Sequence, residues 1–337
     1  MRAAVVKAYA HPSKVPVVTD APEPTPGKND VIVDVYSAGL NFFDILQAQG
    51  KYQNQPPFPF TLGAEFAGRI AADSPIPRGC PYKPGQRVFG SGQGTYADKI
   101  AAPWNHLVPL PDNMTFDQGA GLFVTWPTSY EALVGRAELK AGEWLLVTAS
   151  AGGVGIAACQ IGKALGAKVI AAAGSEEKIE VSKKYGGADY GVNYKNPDWQ
   201  KEVMKITGGK GVNVIYDPVG MIRDCLKFIA WKGRAIVVGF AGGEIEKLPL
   251  NLVLLKNISI VGIHWGAYSK HEPEHMTVVW QDLLKLLGSG RASPVTYTNV
   301  YPLERYADGL KELEERKTWG KAVVRIREDD TATKAKL

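Results

Sequence analysis

Residues 144–173 read WLLVTASAGGVGIAACQIGKALGAKVIAAA, and the fold of most of the chain follows from how this stretch is parsed. Trp144–Ala149 is a compact apolar run of strand length. Ala151, Gly152, Gly153 and Gly155 follow as a turn of small residues. From Gly155 to Leu165, the residues Ile156, Ala157, Ile161, Ala164 and Leu165 recur at helical spacing, and Gly166 stops the pattern. Lys168–Ala173 is a second apolar run. Strand, turn, helix and strand within about 30 residues make a βαβ unit. The turn is not spaced as GxGxxG. It still offers what a pyrophosphate needs, namely backbone that can be approached closely and helix-terminal N–H groups aimed at the anion. Tight packing of the helix on the strand is the alternative reading of the same glycines.

The end of the second strand bears on which dinucleotide would bind. NAD sites place Asp or Glu there to hold the ribose hydroxyls. Ala173 stands at that position here, followed by Gly174-Ser175-Glu176-Glu177-Lys178. A missing carboxylate removes repulsion toward a 2′-phosphate, while Ser175 and Lys178 offer a hydroxyl and a cation. Glu176 and Glu177 read as the opening of a helix, where carboxylates suit the N-terminus. NADPH is therefore the expected cofactor.

Further strands are expected at Val212–Tyr216, Arg234–Val238 and Ile258–Ile263. Helices lie between them, one of them opened by Asn196 as cap with Pro197 in first position. Such alternation implies a parallel sheet covered on both faces. The chain before this region has another texture. Of 22 prolines, 16 lie at or before Pro127, and short strands (Ala3–Lys7, Val31–Ser37, Ala64–Ala71) are separated by clusters such as APEPTPGKND and NQPPFPF. That pattern implies a β-rich domain. After Trp265 the chain changes again and ends in the polar tail REDDTATKAKL.

Composition excludes several classes. With 45% hydrophobic and 22% charged residues among 337, the chain can bury two domain cores and is not disordered. No apolar run reaches the ~20 residues of a bilayer span. MRAAVVKAYAHPSK lacks an uninterrupted apolar core, so no secretory signal is expected. A net charge of +5 without a basic, aromatic-interleaved stripe does not favour nucleic acid. Cys80, Cys159 and Cys225 are scattered, which fits a reducing compartment and small buried thiols better than a disulfide framework.

Several motifs in order then carry a resemblance: SAGLNFFDILQAQGKY (Ser37–Tyr52), PFTLGAEFAGRI (Pro59–Ile70), GTYADKIAAP, the glycine turn, and NISIVGIHWGAY (Asn257–Tyr268). Together they resemble the zinc-free medium-chain dehydrogenase/reductases, in particular the zeta-crystallin-like NADPH:quinone oxidoreductases, over nearly the whole chain. The resemblance implies an α/β protein. A Rossmann doubly wound parallel sheet domain would be inserted into a GroES-like β-rich domain built from both chain ends. The divisions would be 1–125, 126–265 and 266–337, and the protein would be a homodimer. It places Asn41 and Asp44 beside the nicotinamide and the substrate, and Thr128 near the nicotinamide end. Gly152, Gly153, Val154 and Gly155 would line the pyrophosphate. Gly174, Ser175, Lys178 and Tyr194 would surround the 2′-phosphate. Gly239, Phe240, Ile263 and Trp265 would flank the nicotinamide, with Lys321 as a far-end cationic contact. Read without the resemblance, Asn41 and Asp44 could be turn or cap residues, Tyr194 a surface aromatic, and Phe240 and Trp265 core. Many relatives carry an aromatic two residues after the aspartate; Leu46 stands there instead, although Tyr52 remains.

No metal site is expected. Ser37–Tyr52 holds neither Cys nor His, and the five histidines (His11, His106, His264, His271, His275) are not joined by a sulfur cluster. HEPEH (His271–His275) spells the HExxH zinc-protease pattern, which requires both histidines on one helical face. Pro273 argues against a helix interior there, so the segment reads as a connection before a helix starting near Met276.

The expected activity is metal-independent reduction of a quinone by hydride transfer from NADPH, with Asp44 and Tyr52 as candidate proton sources. An enone, enal or enoyl-thioester double-bond reductase is the alternative enzyme. An NADPH-binding protein with little turnover is the alternative from another class. An intracellular protein is expected; the terminal Ala335-Lys336-Leu337 is a variant of the SKL address, which in a eukaryote reads either as a peroxisomal signal or as an accidental tail, and otherwise the location is cytoplasmic.

Overall fold

The structure, a computed structural model, describes residues 1–329. The Ala335-Lys336-Leu337 address lies outside the described residues. The chain divides into two compact units, Val124–Val295 and the remainder, formed by Met1–Phe123 together with the chain from Thr296 onward.

The unit Val124–Val295 is built on six strands: Trp144–Thr148, Lys168–Ala173, Tyr190–Asn193, Val212–Asp217, Ile229–Val237 and Ser259–Gly262. All neighbours pair in parallel. In chain order their arrangement is third, second, first, fourth, fifth, sixth. This is the doubly wound order, and it reverses between the first strand and the fourth. Strands covered on both faces should be apolar throughout; Leu145, Leu146, Val147 and the run Val169–Ala173 are accordingly buried. The expected βαβ unit is present, with the helix running Gly153–Ala164, two residues earlier at its start than the apolar pattern indicated.

Local expectations need five corrections here. The helix assigned to an Asn196 cap runs Trp199–Ile206 with Asp198 at its cap, because Asn196 and Pro197 are spent on a turn closed by Asn196 N–H to Asn193 O. The strand expected from Arg234 begins at Ile229, passing through Lys232 at φ +59°. The helix expected near Met276 starts at Pro273, the ring occupying the first position, where a missing N–H costs nothing. The chain changes unit at Thr296 rather than 266, since the helix Pro273–Gly288 buries Val279, Trp280 and Leu283 and is tied to Tyr130 through Asp282. The first change lies at Val124.

The other unit carries a seven-stranded sheet centred on the long strand Asp30–Gly39. That strand pairs antiparallel with Glu65–Ile70, Lys99–Pro103 and the late strand Lys321–Arg325. A three-stranded sheet (Ala3–Val6, Val17–Val18, Phe60–Thr61) adjoins it. Val33, Val35, Leu62, Phe66, Tyr96 and Val324 form its core. Thus the fold is α/β, with a nucleotide-type parallel sheet inserted into a β-rich unit assembled from both ends of the sequence. Among the described residues, no helix is long and apolar enough to cross a membrane.

Candidate functional site

The functional side chains fall into two groups, one in each unit. In the parallel-sheet unit, every strand leads its C-terminal end to the same edge. The first strand ends at Thr148, and Ala149 follows at φ +45°, a left-handed conformation that costs a non-glycine residue energy and tends to persist where a turn is over-determined. Ala149 O accepts from Gly152 N–H at 2.9 Å and directs the chain into the helix. Gly152 is the helix N-cap and supplies no side chain to cap it. A Cβ on Gly155 would fall 2.4 Å from Ala149 O, whereas one on Gly152 would meet nothing nearer than 3.3 Å. Gly155 is therefore demanded by packing, while Gly152 is free to serve an open backbone. Gly153 and Val154 complete the first turn. Packing thus accounts for the glycine at 155 and leaves the one at 152 unexplained by sterics.

At the switch point, Asp217 ends the fourth strand, almost wholly buried. Its carboxylate accepts from Thr148 Oγ1 at 2.5 Å and from the backbone N–H groups of Val219, Gly220 and Met221. One side chain thus ties the ends of two strands and shapes the turn after the second of them. Nothing in the sequence pattern marked it.

The second strand ends at buried Ala173, with no carboxylate. Ser175 caps the next helix, its Oγ accepting from Lys178 N–H at 3.4 Å. Gly174 lies against Tyr194, whose hydroxyl is 3.3 Å from where a Cβ would stand, and Lys195 Cε approaches to 3.2 Å. Asn193 donates to Glu176 at 3.1 Å, occupying one of the two acids that open the helix. Ser175, Lys178 and Tyr194 therefore collect at one strand end, and Lys195 joins them. That lysine was missed because it lies in a turn, seventeen residues beyond Lys178 in sequence.

Gly239 and half-exposed Phe240 follow the fifth strand; Ile263 and Trp265 follow the sixth, both buried. Trp265 stacks on Tyr268 with centroids 5.1 Å apart. Thr128 is half-buried on the helix Thr125–Glu131, its hydroxyl returned to Val124 O at 2.6 Å. In the HEPEH segment the two histidines do not share a helix. His271 ends a short preceding helix, and His275 turns its Nε2 to Glu131 Oε2 at 2.9 Å. Among the described residues, no three His, Cys, Asp or Glu side chains converge as a metal-binding group.

In the β-rich unit, Asn41, Asp44 and Lys321 meet in one buried network, joined by two residues the sequence did not single out, Glu65 and Tyr96. Lys321 Nζ donates to Asn41 Oδ1 and pairs with Glu65 Oε1, each at 2.6 Å, and Asn41 Nδ2 donates to the same Glu65 oxygen at 2.9 Å. The amide of Asn41 is held at both ends. Gly39 makes this possible, since a Cβ there would lie 2.7 Å from Glu65 Oε1. Asp44 Oδ2 accepts from Asn41 N–H at 2.8 Å, as the third residue of a capping box does, and from Tyr96 OH at 2.5 Å. Its Oδ1 has no partner. Burial raises the Asp44 carboxyl to about 7, against the opposing pull of the Tyr96 and Asn41 hydrogen bonds.

Two expectations change. Asp44 is completely buried and occupied as a cap, so it does not present itself to an acceptor. Lys321 is buried with its charge committed to Glu65, so it is not a free cationic contact. Tyr52 is half-buried, stacked on Phe43 at 5.2 Å. Burial and the Asp44 charge raise its hydroxyl above the usual phenol range.

Comparison with known proteins is consistent with both units. Residues 27–112 match the family model described as the alcohol dehydrogenase GroES-like domain, and residues 153–283 match the one described as zinc-binding dehydrogenase. A Rattus norvegicus protein named quinone oxidoreductase-like protein 2 is 38% identical over 331 residues, spanning 97% of this chain and 92% of its own length. The Homo sapiens quinone oxidoreductase is 32% identical over 318 residues, 93% of this chain and 94% of the human one. Among solved structures, the Escherichia coli quinone oxidoreductase complexed with NADPH superposes with a TM-score of 0.86 at 28% identity, covering 97% of this chain and all of the other.

Proposed function

Because this chain belongs to the zeta-crystallin-like quinone oxidoreductases of the medium-chain dehydrogenase/reductase superfamily, we propose that it reduces a quinone with NADPH. An NADPH-dependent oxidoreductase is the broader statement, and the quinone is the narrower one. The observation that carries the cofactor is the strand end at Ala173, where no acid stands and Ser175, Lys178, Tyr194 and Lys195 gather instead. The open backbone at Gly152 fits a pyrophosphate in the same way, as it leaves room that a side chain would fill.

When bound, NADPH supplies the hydride. What the protein contributes is placement. The N–H groups of Gly153, Val154 and Gly155 would hold the pyrophosphate. Ser175, Lys178, Tyr194 and Lys195 hold the 2′-phosphate. Gly239, Phe240, Ile263 and Trp265, at the ends of the fifth and sixth strands, serve the nicotinamide half, and Thr128 is assigned to the same half. This division follows from the two mononucleotide halves of the sheet. Asn41, clamped by Lys321 and Glu65, presents an amide of fixed orientation to the reacting partners. Asp44 is a positioning residue that sets the backbone of Asn41. Tyr52, protonated at neutral pH, is the group we assign as proton donor to the reduced acceptor.

We also assign a homodimer. The helix Leu250–Lys256 exposes Leu250, Leu254 and Leu255 by two-thirds or more, beside the edge strand Ser259–Gly262. Light scattering of the purified chain measures this directly, and a monomeric mass refutes it.

Steady-state NADPH oxidation against benzoquinones, naphthoquinones and enones tests the activity. Turnover of quinones is expected. Turnover of enones alone would replace the quinone reading with a double-bond reductase. Tight NADPH binding with no turnover would replace both with a binding protein.

A further inference from the structure

Glu131 lies outside every group assigned above, yet it is a buried carboxylate with two side-chain partners. Its Oε1 accepts from Tyr268 OH at 3.1 Å and its Oε2 faces His275 Nε2 at 2.9 Å. Glu131 ends the helix Thr125–Glu131 and leads into a π-helical turn, Ala132–Arg136. In that turn, Gly135 leaves the space the carboxylate needs, since a Cβ there would sit 2.1 Å from Glu131 Oε1. Arg136, at the end of the same turn, donates from Nε to Gly262 O at 3.1 Å. A π-turn is rare and tends to accompany a functional demand on a helix.

These contacts bracket one segment. Arg136 grips the last residue of the sixth strand, immediately before Ile263. Glu131 grips Tyr268 and His275, three and ten residues after Trp265, and Tyr268 stacks on the Trp265 ring. Between the two grips lie Ile263 and Trp265, at the carboxyl end of the sixth strand, where the second half of a dinucleotide binds.

We propose that Glu131 is a positioning residue for the nicotinamide half of the cofactor, acting through Tyr268 and His275 to fix the segment Ile263–Trp265, with Arg136 as the opposite anchor. The HEPEH sequence acquires a role on this view, since its second histidine is one end of the clamp. The inference rests on the NADPH reading. Glu131 touches no cofactor, so its removal should loosen one half of the ligand and leave the other half alone.

The test measures dissociation constants of the full chain for NADPH and for adenosine 2′,5′-bisphosphate, which carries the 2′-phosphate end and no nicotinamide. Glu131→Gln should weaken NADPH about tenfold, and His275→Ala on the surface about threefold, with bisphosphate affinity unchanged in both. Unchanged NADPH affinity in Glu131→Gln overturns the proposal. So does an equal loss for both ligands, which would mean that the whole unit had been disturbed. If the wild-type chain binds neither ligand, the NADPH reading fails first and this inference falls with it.

Discussion

Lys321 Nζ stands 2.6 Å from Glu65 Oε1, with both side chains withdrawn from solvent. The pair joins the late strand Lys321–Arg325 to the early strand Glu65–Ile70 and closes around Asn41 between them. A buried ion pair contributes little net stability compared with apolar residues of the same size. Its value lies in orientation, because Asn41 cannot flip its amide without breaking a bond at each end.

Removing one member of that pair strands the other. Lys321→Met should lower unfolding free energy by about 3–5 kcal/mol, and Lys321→Met with Glu65→Leu should recover much of the loss. Urea denaturation of the two variants measures both values. A double variant no more stable than the single one would show that the pair is not the source of the loss.

Asp44 gives stability an unusual slope with pH. Its folded-state carboxyl is raised to about 7, so the folded chain keeps a proton that the unfolded chain releases at its lower value. From about pH 4 to about pH 7 this group makes folding less favourable as pH rises, and above that range the penalty is constant. Asn at this position retains one acceptor oxygen and has no proton to lose. The melting temperature of Asp44→Asn minus that of wild type should therefore climb between those two pH values. A difference independent of pH contradicts the assignment.

The glycine turn separates fold from ligand. Gly155→Ala drives a methyl to 2.4 Å from a backbone oxygen, and a loss of about 1–3 kcal/mol in stability is expected. Gly152→Ala meets nothing closer than 3.3 Å and should fold with a near-native melting temperature, yet bind NADPH at least about tenfold more weakly through the blocked backbone. Calorimetry with and without NADPH compares the two. Equal affinity of Gly152→Ala and wild type would remove the pyrophosphate from this turn.

Cofactor choice should move with charge at the second strand end. Lys178→Glu is expected to raise KM for NADPH on the order of tenfold or more and to change KM for NADH little, since only NADPH carries the 2′-phosphate. Equal effects on the two cofactors would place the phosphate elsewhere.

The parts of this protein that repeat a local rule could be read from sequence. Trp144–Ala173 announces strand, turn, helix and strand because burial on two faces and a helical stripe leave different spacings. Where competing signals overlap, the reading slipped. Asn196-Pro197 has the chemistry of a helix start but is used by a turn. The passage from one unit to the other at Thr296 has no compositional mark, because the helix Pro273–Gly288 is amphipathic in the way a helix of either unit could be. In the site, backbone-defined positions such as Gly152 and Gly155 were legible. Glu65, Tyr96, Glu131 and Asp217 were not, since their importance lies in partners from 24 to 144 residues away. The same contacts recast Asp44 and Lys321, whose residue types suggested chemistry at a surface and whose surroundings turn them inward.

The left-handed backbone at Ala149 has a consequence for how this chain can vary. The Ala149 carbonyl oxygen at 2.4 Å and the Ser150 backbone carbons at 2.8 Å together bar a methyl at Gly155. The two positions are thus epistatic, although neither side chain touches the other. A replacement at 149 would be permissive for alanine at 155 only where it also moves the Ser150 backbone. In any library built on this turn, the fitness of one site has no fixed value until the other is specified.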